Sequence, residues 1–265
     1  MHTCAVTNQK GGVGKTTVTL GLASAAADNQ LPVLVIDLDP QGNATEALAP
    51  SPISDEPLTA ADLLAVALPS APSRAVWNSG WGEWVKVIPS TLALAHVEAD
   101  GSLAAEQRLR RALAAMPDVT SQFALILIDC PPGLGRLVSN ALIAADSALI
   151  VTDPNFFASQ GVAQVNMTVR TVRDNYNAGL GIPAIIVNRM VRTKEAAYRL
   201  QEVIDANVAP VLEPPLPVRT ALTEAAGSST PIHRHTPRSD AADTFTRYLE
   251  ALLPDLEAQP EGVSA

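Results

Sequence analysis

Two lysines stand at the two ends of a glycine-rich stretch near the start of the chain. Residues 6–23 read VTNQKGGVGKTTVTLGLA, with Lys10 before the glycines and Lys15 after them. A glycine run that ends in Gly-Lys-Thr is typical of a phosphate-binding loop, in which backbone N–H groups at a helix N-terminus hold phosphate oxygens. We expect Lys15 to contact the β- and γ-phosphates of a nucleotide and the Thr16 hydroxyl to bind Mg²⁺.

Two further stretches place carboxylates at the ends of apolar runs. VIDLDPQGNAT, residues 35–45, brings Asp37 and Asp39 to the end of one predicted strand, and FALILIDCPPGLG, residues 123–135, ends another at Asp129. Asp37 and Asp39 can lie on one side of their strand, at the edge where open α/β sheets bind ligands. A carboxylate at Asp129 would hold a water of a Mg²⁺ shell. An alternative for Asp37 is that it caps the turn that follows.

The elements that must hold these residues alternate between apolar strands and helices. The sequence predicts strands at 3–7, 33–36, 85–88, 123–128, 148–151 and 184–187. It predicts helices at 17–27, 102–115, 137–144, 160–175, 194–206 and 239–253, with a short helix near 60–67 inside an irregular region, 50–84. This alternation favours an α/β fold, in which a doubly wound, mostly parallel sheet is flanked by helices.

Composition favours one domain, and its two cysteines give little support for a disulfide or a cysteine-bound metal. The chain has 265 residues, of which 47% are hydrophobic, enough for a single α/β domain that we assign to residues 1–253. Residues 254–265 are predicted to be a disordered acidic tail. Cys4 and Cys130 form no C-x-x-C pair, so we interpret both as small buried hydrophobic residues. With no apolar leader or membrane-spanning run, we expect a cytoplasmic protein.

The glycine-rich stretch departs from the ordinary phosphate-loop pattern at one position. G-x-x-x-x-G-K-[ST] would place a glycine at position 9, where the chain has Gln9, followed by Lys10, Gly11 and Gly12. The form K-G-G-x-G-K-[ST] resembles the ParA/MinD family of ATPases, also called deviant Walker ATPases. The resemblance implies that Lys10 crosses to the nucleotide of a partner subunit when two monomers sandwich two ATP molecules. The alternative is a solvated lysine beside the site.

The resemblance extends to the other motifs and assigns roles to their residues. It implies that Lys10, Lys15 and Asp39 are catalytic, with Asp39 positioning the attacking water, and that Thr16, Asp37 and Asp129 hold Mg²⁺. IIVNRM and the stretch 214–232 resemble the family's adenine-binding segments, although Val218 and Ala221 stand where the family carries arginines. The implied nucleotide contacts are Lys10, Gly11, Gly12, Val13, Gly14, Lys15, Thr16, Thr17, Asn188, Arg189, Pro217 and Leu222.

The implied activity is weak ATP hydrolysis that drives a partition or positioning switch. In such a switch an ATP-bound homodimer binds double-stranded DNA without sequence preference on the nucleoid, and a ParB-like partner stimulates hydrolysis and release. The net charge of −9 opposes DNA binding, but residues 158–250 carry ten basic against nine acidic side chains. The candidate DNA-binding residues are Arg189, Arg192, Arg219 and Arg238.

Other functions on the same fold remain open. One alternative is a metabolic ATP-dependent ligase or synthetase that transfers phosphate to a small substrate, and another is a positioner of a protein cargo. The C-terminal residues are acidic and contain proline and glycine, unlike a basic amphipathic helix that binds anionic lipid, so we expect no membrane partner.

Overall fold

The computed structural model describes residues 1–67 and 70–253. Within these residues the strands are β1 (His2–Thr7), β2 (Val33–Asp37), β3 (Trp77–Ser79), β4 (Gly82–Ile88), β5 (Leu125–Asp129), β6 (Ser147–Thr152) and β7 (Ile185–Val187). The α-helices are α1 (Lys15–Asp28), α2 (Asn43–Leu48), α3 (Ala60–Leu63), α4 (Leu94–Ala99), α5 (Arg108–Ala114), α6 (Pro117–Thr120), α7 (Arg136–Ala144), α8 (Ala158–Asn175), α9 (Lys194–Asp205), α10 (Thr220–Gly227), α11 (Ile232–His235) and α12 (Asp240–Leu252). The predicted acidic tail, 254–265, lies outside the described residues.

The strands form one sheet in the order β3-β4-β2-β5-β1-β6-β7. Every pairing is parallel except that of β3 with β4, so the predicted fold class is confirmed. The prediction missed β3, which lies in the region that we expected to be irregular. It is three residues long and pairs only at the sheet edge, too short for an alternating pattern to appear in the sequence.

Helices cover both faces of the sheet. Apolar side chains of α1, α2, α10, α11 and α12 pack on one face, and those of α3, α4, α5, α7, α8 and α9 pack on the other. The central strands β1, β2, β5 and β6 are therefore buried almost throughout, which explains their nearly continuous apolar sequences.

The predicted helix at 102–115 was too long at its start. The α-helix begins at Arg108, and a short 3-10 turn, Ala105–Gln107, precedes it. Buried Asn140 explains this boundary, because its side chain accepts from the Leu109 N–H at 3.1 Å and donates to the Ala105 carbonyl at 2.9 Å. The helix near 60–67 is also shorter than predicted, and the short helices α2, α4, α6, α10 and α11 were not predicted.

Strand register brings the chemical motifs together at one edge. In the pairing of β2 with β5, Asp37 lies directly opposite Asp129, and in the pairing of β1 with β5, Asp129 lies opposite Val6. The glycine-rich loop follows β1 at the same edge. The C-terminal ends of β1, β2 and β5 therefore lie together at the edge where α1 begins. Ligands of open α/β sheets bind at this edge.

Candidate functional site

The glycine-rich loop joins β1 to the N-terminus of α1. Gly12 and Gly14 adopt left-handed backbone conformations, with φ of 78° and 97°. A Cβ atom on Gly14 would lie 1.9 Å from Nδ2 of Asn188, so a larger residue requires that side chain to move. The loop thus leads into the free N–H groups of the first turn of α1, the arrangement that binds phosphate in many nucleotide sites.

Lys15 is buried within this loop. Its side chain is 6% exposed, and Nζ donates to the Lys10 carbonyl at 3.3 Å. Burial lowers the pKa of the Lys15 ammonium, whereas the nearby Cys130, Asp129 and Asp39 act in the opposite direction. A buried cation with few protein partners is placed to gain from an anionic ligand in the loop.

Asp129 accepts hydrogen bonds from two hydroxyl groups on α1. The Thr16 hydroxyl donates to Oδ2 at 2.7 Å, and the Thr19 hydroxyl donates to Oδ1 at 3.0 Å. Burial, followed by repulsion from Asp37, raises the pKa of the Asp129 carboxyl, while Thr16 and Thr19 counteract the shift. A nearby divalent cation would relieve both unfavourable effects by stabilising the carboxylate.

Asp37 is fully buried and anchors the turn after β2. Its Oδ1 accepts from the Asp39 N–H at 3.0 Å, and its Oδ2 accepts from the backbone N–H and hydroxyl of Thr45 at 2.8 and 2.7 Å. Burial raises the pKa of the Asp37 carboxyl. These are the contacts of the turn-capping alternative, and a place for Asp37 in a Mg²⁺ shell stays a prediction.

Asp39 lies two residues farther on, at the same edge of the sheet, and is also buried. It is 9% exposed, and its Oδ1 accepts from the Gln41 N–H at 2.9 Å. Its carbonyl accepts from the Ser90 hydroxyl at 2.5 Å, which ties the turn to the end of β4. The structure therefore holds the Asp39 backbone firmly close to Lys15, as a residue that orients a water molecule requires.

Lys10, in contrast to Lys15, has a partly exposed side chain that is paired with a carboxylate. Its side chain is 48% exposed, and Nζ lies 3.2 Å from both carboxylate oxygens of Asp153. Asp153 directly follows β6, and the Lys10 N–H also donates to the side-chain oxygen of Asn8 at 3.1 Å. The two lysines of the loop thus occupy different environments, one buried in the chain and the other at its surface.

The loop after Asp129 is tied at both ends. The Gly133 N–H donates to the Gln9 carbonyl at 2.8 Å, next to Lys10. At the other end, the Glu98 carboxylate accepts from the N–H groups of Arg136 and Leu137, both at 2.9 Å. Residues 130–137, which follow Asp129, are therefore connected to the phosphate loop through Gly133 and to α4 through Arg136 and Leu137.

The predicted adenine-binding residues have different surroundings in the structure. Asn188 is buried, and its Nδ2 donates to the Val13 carbonyl at 2.8 Å, so its amide braces the phosphate loop. Pro217 lines a cleft of about 600 Å³, which we call the proline cleft. Leu222 lines a different cavity of about 440 Å³, together with Thr16 and Thr17, which we call the α10 cavity.

The predicted DNA-binding arginines are all exposed but differ in their surroundings. Arg192 and Arg219 both line the proline cleft. Arg219 is ion-paired with Asp240, whose two carboxylate oxygens each lie 3.0 Å from Nε, and this partner raises the pKa of the guanidinium. Arg189 adopts a left-handed backbone conformation directly after Asn188, as does Arg238 farther along the chain.

Four residues of the site were not predicted from the sequence. Thr19 and Thr45 hold Asp129 and Asp37, Asp153 holds Lys10, and Glu98 holds the start of α7. The sequence does carry a signal for Asp153, because this aspartate directly follows an apolar strand. The other three carry no local pattern, because their partners lie on different elements.

The donor set suits Mg²⁺ better than a softer metal. Thr16 and Asp129 supply hard oxygen atoms close to the phosphate loop, and Mg²⁺ keeps several waters and shares substrate phosphates. Across residues 1–67 and 70–253, no three His, Cys, Asp or Glu side chains are grouped to hold a metal by themselves. None of the helices in these ranges is both long enough and apolar enough to cross a membrane.

Comparison with known sequences gives matches over most of the chain. A family model described as an AAA domain matches residues 1–182. The sporulation initiation inhibitor protein Soj of Bacillus subtilis is 35% identical over 244 residues, covering 91% of this chain and 94% of Soj. The chromosome partitioning protein ParA of Myxococcus xanthus is 32% identical over 243 residues, covering 91% of this chain and 83% of that protein.

Solved structures give two further similarities. Cobyrinic acid a,c-diamide synthase from Mycobacterium smegmatis, with a bound ATP analogue and magnesium, aligns with a TM-score of 0.79 and 30% identity, covering 97% of this chain and 96% of that one. The cell division ATPase MinD of Pyrococcus furiosus aligns with a TM-score of 0.76 and 26% identity, covering 96% and 98%.

Proposed function

Since the chain belongs to the ParA/MinD family of ATPases, which use ATP and Mg²⁺, we propose that it acts as a nucleotide-driven switch that partitions DNA. ATP binding brings two subunits together, the dimer binds duplex DNA without sequence preference, and hydrolysis releases it. The similarity to Soj and to a chromosome partitioning ParA over about nine tenths of the chain supports partition over the other roles on this fold.

Each group of residues at the phosphate site has a defined role in this proposal. The loop from Gly11 to Thr17 and the buried Lys15 bind the triphosphate, with Thr16 and Asp129 holding Mg²⁺. Bound Mg²⁺ neutralises charge on the phosphates. Asp39, whose backbone is fixed at the same edge, orients the water that attacks the γ-phosphate. Asp37 supports this arrangement by fixing the turn that carries Asp39.

The different exposure of Lys10 and Lys15 is the observation that supports a dimeric switch most directly. Lys15 is buried and faces the loop of its own chain, whereas the Lys10 ammonium lies at the surface on the same edge. A cation in that position can reach phosphates that approach from outside the subunit. In a two-fold dimer the contact occurs twice, and each copy requires a nucleotide opposite it, so dimerisation depends on ATP.

The DNA surface in this proposal consists of Arg189, Arg192, Arg219 and Arg238. All four are exposed, and a dimer doubles their number. Contacts from such arginines to phosphates release counterions, which makes affinity fall steeply with salt without reading sequence. A ParB-like protein bound at the centromere then stimulates hydrolysis and returns the subunits to the DNA-free state.

A second candidate is a metabolic enzyme that couples ATP to amide formation. The similarity to cobyrinic acid a,c-diamide synthase, at 30% identity over 97% of the chain, favours it. Such an enzyme transfers phosphate from ATP to a small substrate, and its turnover depends on that acceptor. The partition switch instead hydrolyses ATP without a small-molecule acceptor.

ATP turnover measured under matched conditions separates the two candidates. We expect slow hydrolysis by the purified protein alone, and retention on generic duplex DNA that requires Mg-ATP and is absent with Mg-ADP. Lys15→Gln serves as the control that cannot bind ATP tightly. Turnover that appears only with cobyrinic acid and an ammonia donor, together with no retention on DNA in ATP, would establish the enzyme and remove the switch.

A further inference from the structure

Asp39 is held by hydrogen bonds to its backbone and to its side chain. Its N–H donates to Oδ1 of Asp37 at 3.0 Å, and its own Oδ1 accepts from the Gln41 N–H at 2.9 Å. Its carbonyl accepts from the Gly42 N–H at 2.9 Å and from the Ser90 hydroxyl at 2.5 Å. Three of these partners belong to the same turn, whereas Ser90 lies 51 residues farther along the chain. Ser90 therefore connects this turn to a different part of the sheet.

The position of Ser90 is set by the pairing of two strands. Ser90 lies two residues beyond β4, the strand beside β2. The two strands pair in parallel, with Ile36 opposite Ile88, so the residues that follow them leave the sheet side by side. Ser90 is 8% exposed, so its hydroxyl donates to Asp39 in a largely buried environment. The register of the sheet thus brings this hydroxyl to the Asp39 carbonyl.

The backbone around Ser90 is itself fixed from two directions. The Ser90 N–H donates to Oγ1 of Thr45 at 2.9 Å, and the Thr45 hydroxyl donates to Oδ2 of Asp37 at 2.7 Å. The carbonyl of the preceding residue, Pro89, accepts from the Ala60 N–H at 2.9 Å, where α3 begins. A side chain that positions a functional residue must itself be held in place by its neighbours, and Ser90 meets this requirement.

We propose that Ser90 is a positioning residue for ATP hydrolysis. Its hydroxyl fixes the backbone of Asp39, so that the Asp39 carboxylate keeps the orientation in which it holds the attacking water. This inference rests on the role proposed above for Asp39, because Ser90 acts through that residue. A small displacement of a group that orients a reactant lowers the rate of the chemical step strongly, whereas binding of the triphosphate by the phosphate loop does not depend on it.

Ser90→Ala removes the hydroxyl and leaves the Asp39 carbonyl bonded to the Gly42 N–H, so this buried acceptor keeps a partner and the variant should fold. We expect its kcat for ATP hydrolysis to fall about ten-fold while KM changes by less than about two-fold. Phosphate release over a range of Mg-ATP concentrations measures both constants. An unchanged kcat, or a rise in KM alone, would overturn the proposal.

Ser79→Ala is the matched control for the loss of a buried serine hydroxyl. Ser79 is also 8% exposed, and its hydroxyl donates to the Leu48 carbonyl at 3.0 Å. This variant should keep the wild-type kcat, and Ser90→Thr, which retains a hydroxyl, should keep at least about half of it. A fall in Ser79→Ala as large as that in Ser90→Ala, or an equal loss in Ser90→Thr, would contradict a specific role of the Ser90 hydroxyl.

Asp39→Ala tests whether Ser90 acts through Asp39. Single-turnover hydrolysis, with protein in excess over radiolabelled Mg-ATP, measures the small residual rate. Once the carboxylate is absent, adding Ser90→Ala should not lower this rate further, because residues that act as a unit have non-additive effects. A second fall of the same size would mean that Ser90 acts on the fold or on the nucleotide, and would overturn the positioning role.

The same measurements distinguish this inference from the proposed function. Retention of the wild type on DNA in Mg-ATP tests the switch and involves no Ser90 variant. Wild-type turnover in Asp39→Ala would remove Asp39 from hydrolysis, and the positioning role with it. Impaired turnover in Asp39→Ala beside normal turnover in Ser90→Ala would overturn the positioning role alone. The proposal is supported when both variants are impaired and the double variant is no slower than Asp39→Ala.

Discussion

The Lys10 ammonium is bound to Asp153 of its own chain, with both carboxylate oxygens 3.2 Å from Nζ. In the proposed dimer the same ammonium contacts the phosphates of the partner's nucleotide. The two positions exclude each other, so the ion pair with Asp153 competes with dimerisation. Asp153 is therefore expected to set how much ATP and protein the dimer requires.

Asp153→Asn should promote the ATP-bound dimer. Removing the carboxylate releases Lys10 from a partly exposed ion pair, which is worth about 0.2–1 kcal/mol, so the dimer dissociation constant should fall about two- to five-fold. Sedimentation velocity over a range of protein concentrations in Mg-ATP measures it. Asp174→Asn, which removes an exposed carboxylate on α8, should leave the constant unchanged. An equal or weaker dimer for Asp153→Asn would argue against the competition.

Glu98 should stabilise the segment that follows Asp129. Its carboxylate accepts two backbone N–H groups at the start of α7, and a Cβ on Gly135 would lie 1.6 Å from its Oε1. Glu98→Ala should therefore lower the free energy of unfolding by about 1–2 kcal/mol, measured by urea titration. Glu83→Ala, at an exposed position of β4, serves as the control. An undiminished free energy of unfolding in Glu98→Ala would rule out this anchor.

His233 should make stability depend on pH in the acidic range. Its ring contacts the Ser24 and Thr246 hydroxyls at 2.8 and 3.1 Å, and burial lowers the pKa of the imidazole in the folded protein. The folded state thus prefers the neutral ring, and this contribution to stability is present above the unfolded pKa of about 6.5 and is lost as pH falls through the folded pKa.

His233→Gln removes this titration while leaving a side chain that forms hydrogen bonds. Its free energy of unfolding should be about 1 kcal/mol lower at pH 8 and should fall less than that of the wild type as pH decreases below 6.5. His96→Gln, on an exposed part of α4, is the matched control. Parallel pH profiles for the wild type and His233→Gln would eliminate the contribution of this histidine.

Arg219 should bind DNA more strongly once its acidic partner is removed. Asp240 neutralises its guanidinium, so Asp240→Asn should raise DNA affinity in Mg-ATP, whereas Arg219→Ala should lower it equally on all sequences. The slope of log affinity against log salt should decrease by about 1 in Arg219→Ala. Arg110→Ala, outside the proposed surface, should match the wild type. A DNA affinity that neither variant alters would exclude Arg219 from the surface.

Local sequence spacing predicted the parts of the site that lie within single motifs. Gly14, Lys15 and Thr16 follow β1, and Asp129 is the last residue of β5. Because β1 and β5 pair in parallel, these residues meet at one edge of the sheet. The six predicted strands are all present because long apolar runs determine them. β3 and the shorter helices depend on contacts with neighbouring elements, and their few residues carry no periodic pattern.

Contacts between distant residues account for what the sequence could not predict. Asp153 is 143 residues from Lys10, and Asp240 is 21 residues from Arg219, so neither ion pair has a local signal. Asn188 was predicted to read adenine, but in the structure its Nδ2 donates to the Val13 carbonyl. Its role toward the base therefore stays a prediction, as do the catalytic roles of Lys10 and Asp39.

The dimer population in saturating Mg-ATP tests the central claim that Lys10 acts across a subunit interface. Asp39→Ala is the reference, because it should bind ATP and dimerise but hydrolyse little, and the second sample is the Lys10→Ala, Asp39→Ala double variant. Calorimetry first establishes that both bind ATP equally. Light scattering should then give a dimer for Asp39→Ala and a monomer for the double variant, whereas equal dimer populations would contradict the claim and leave Lys10 as a local cation.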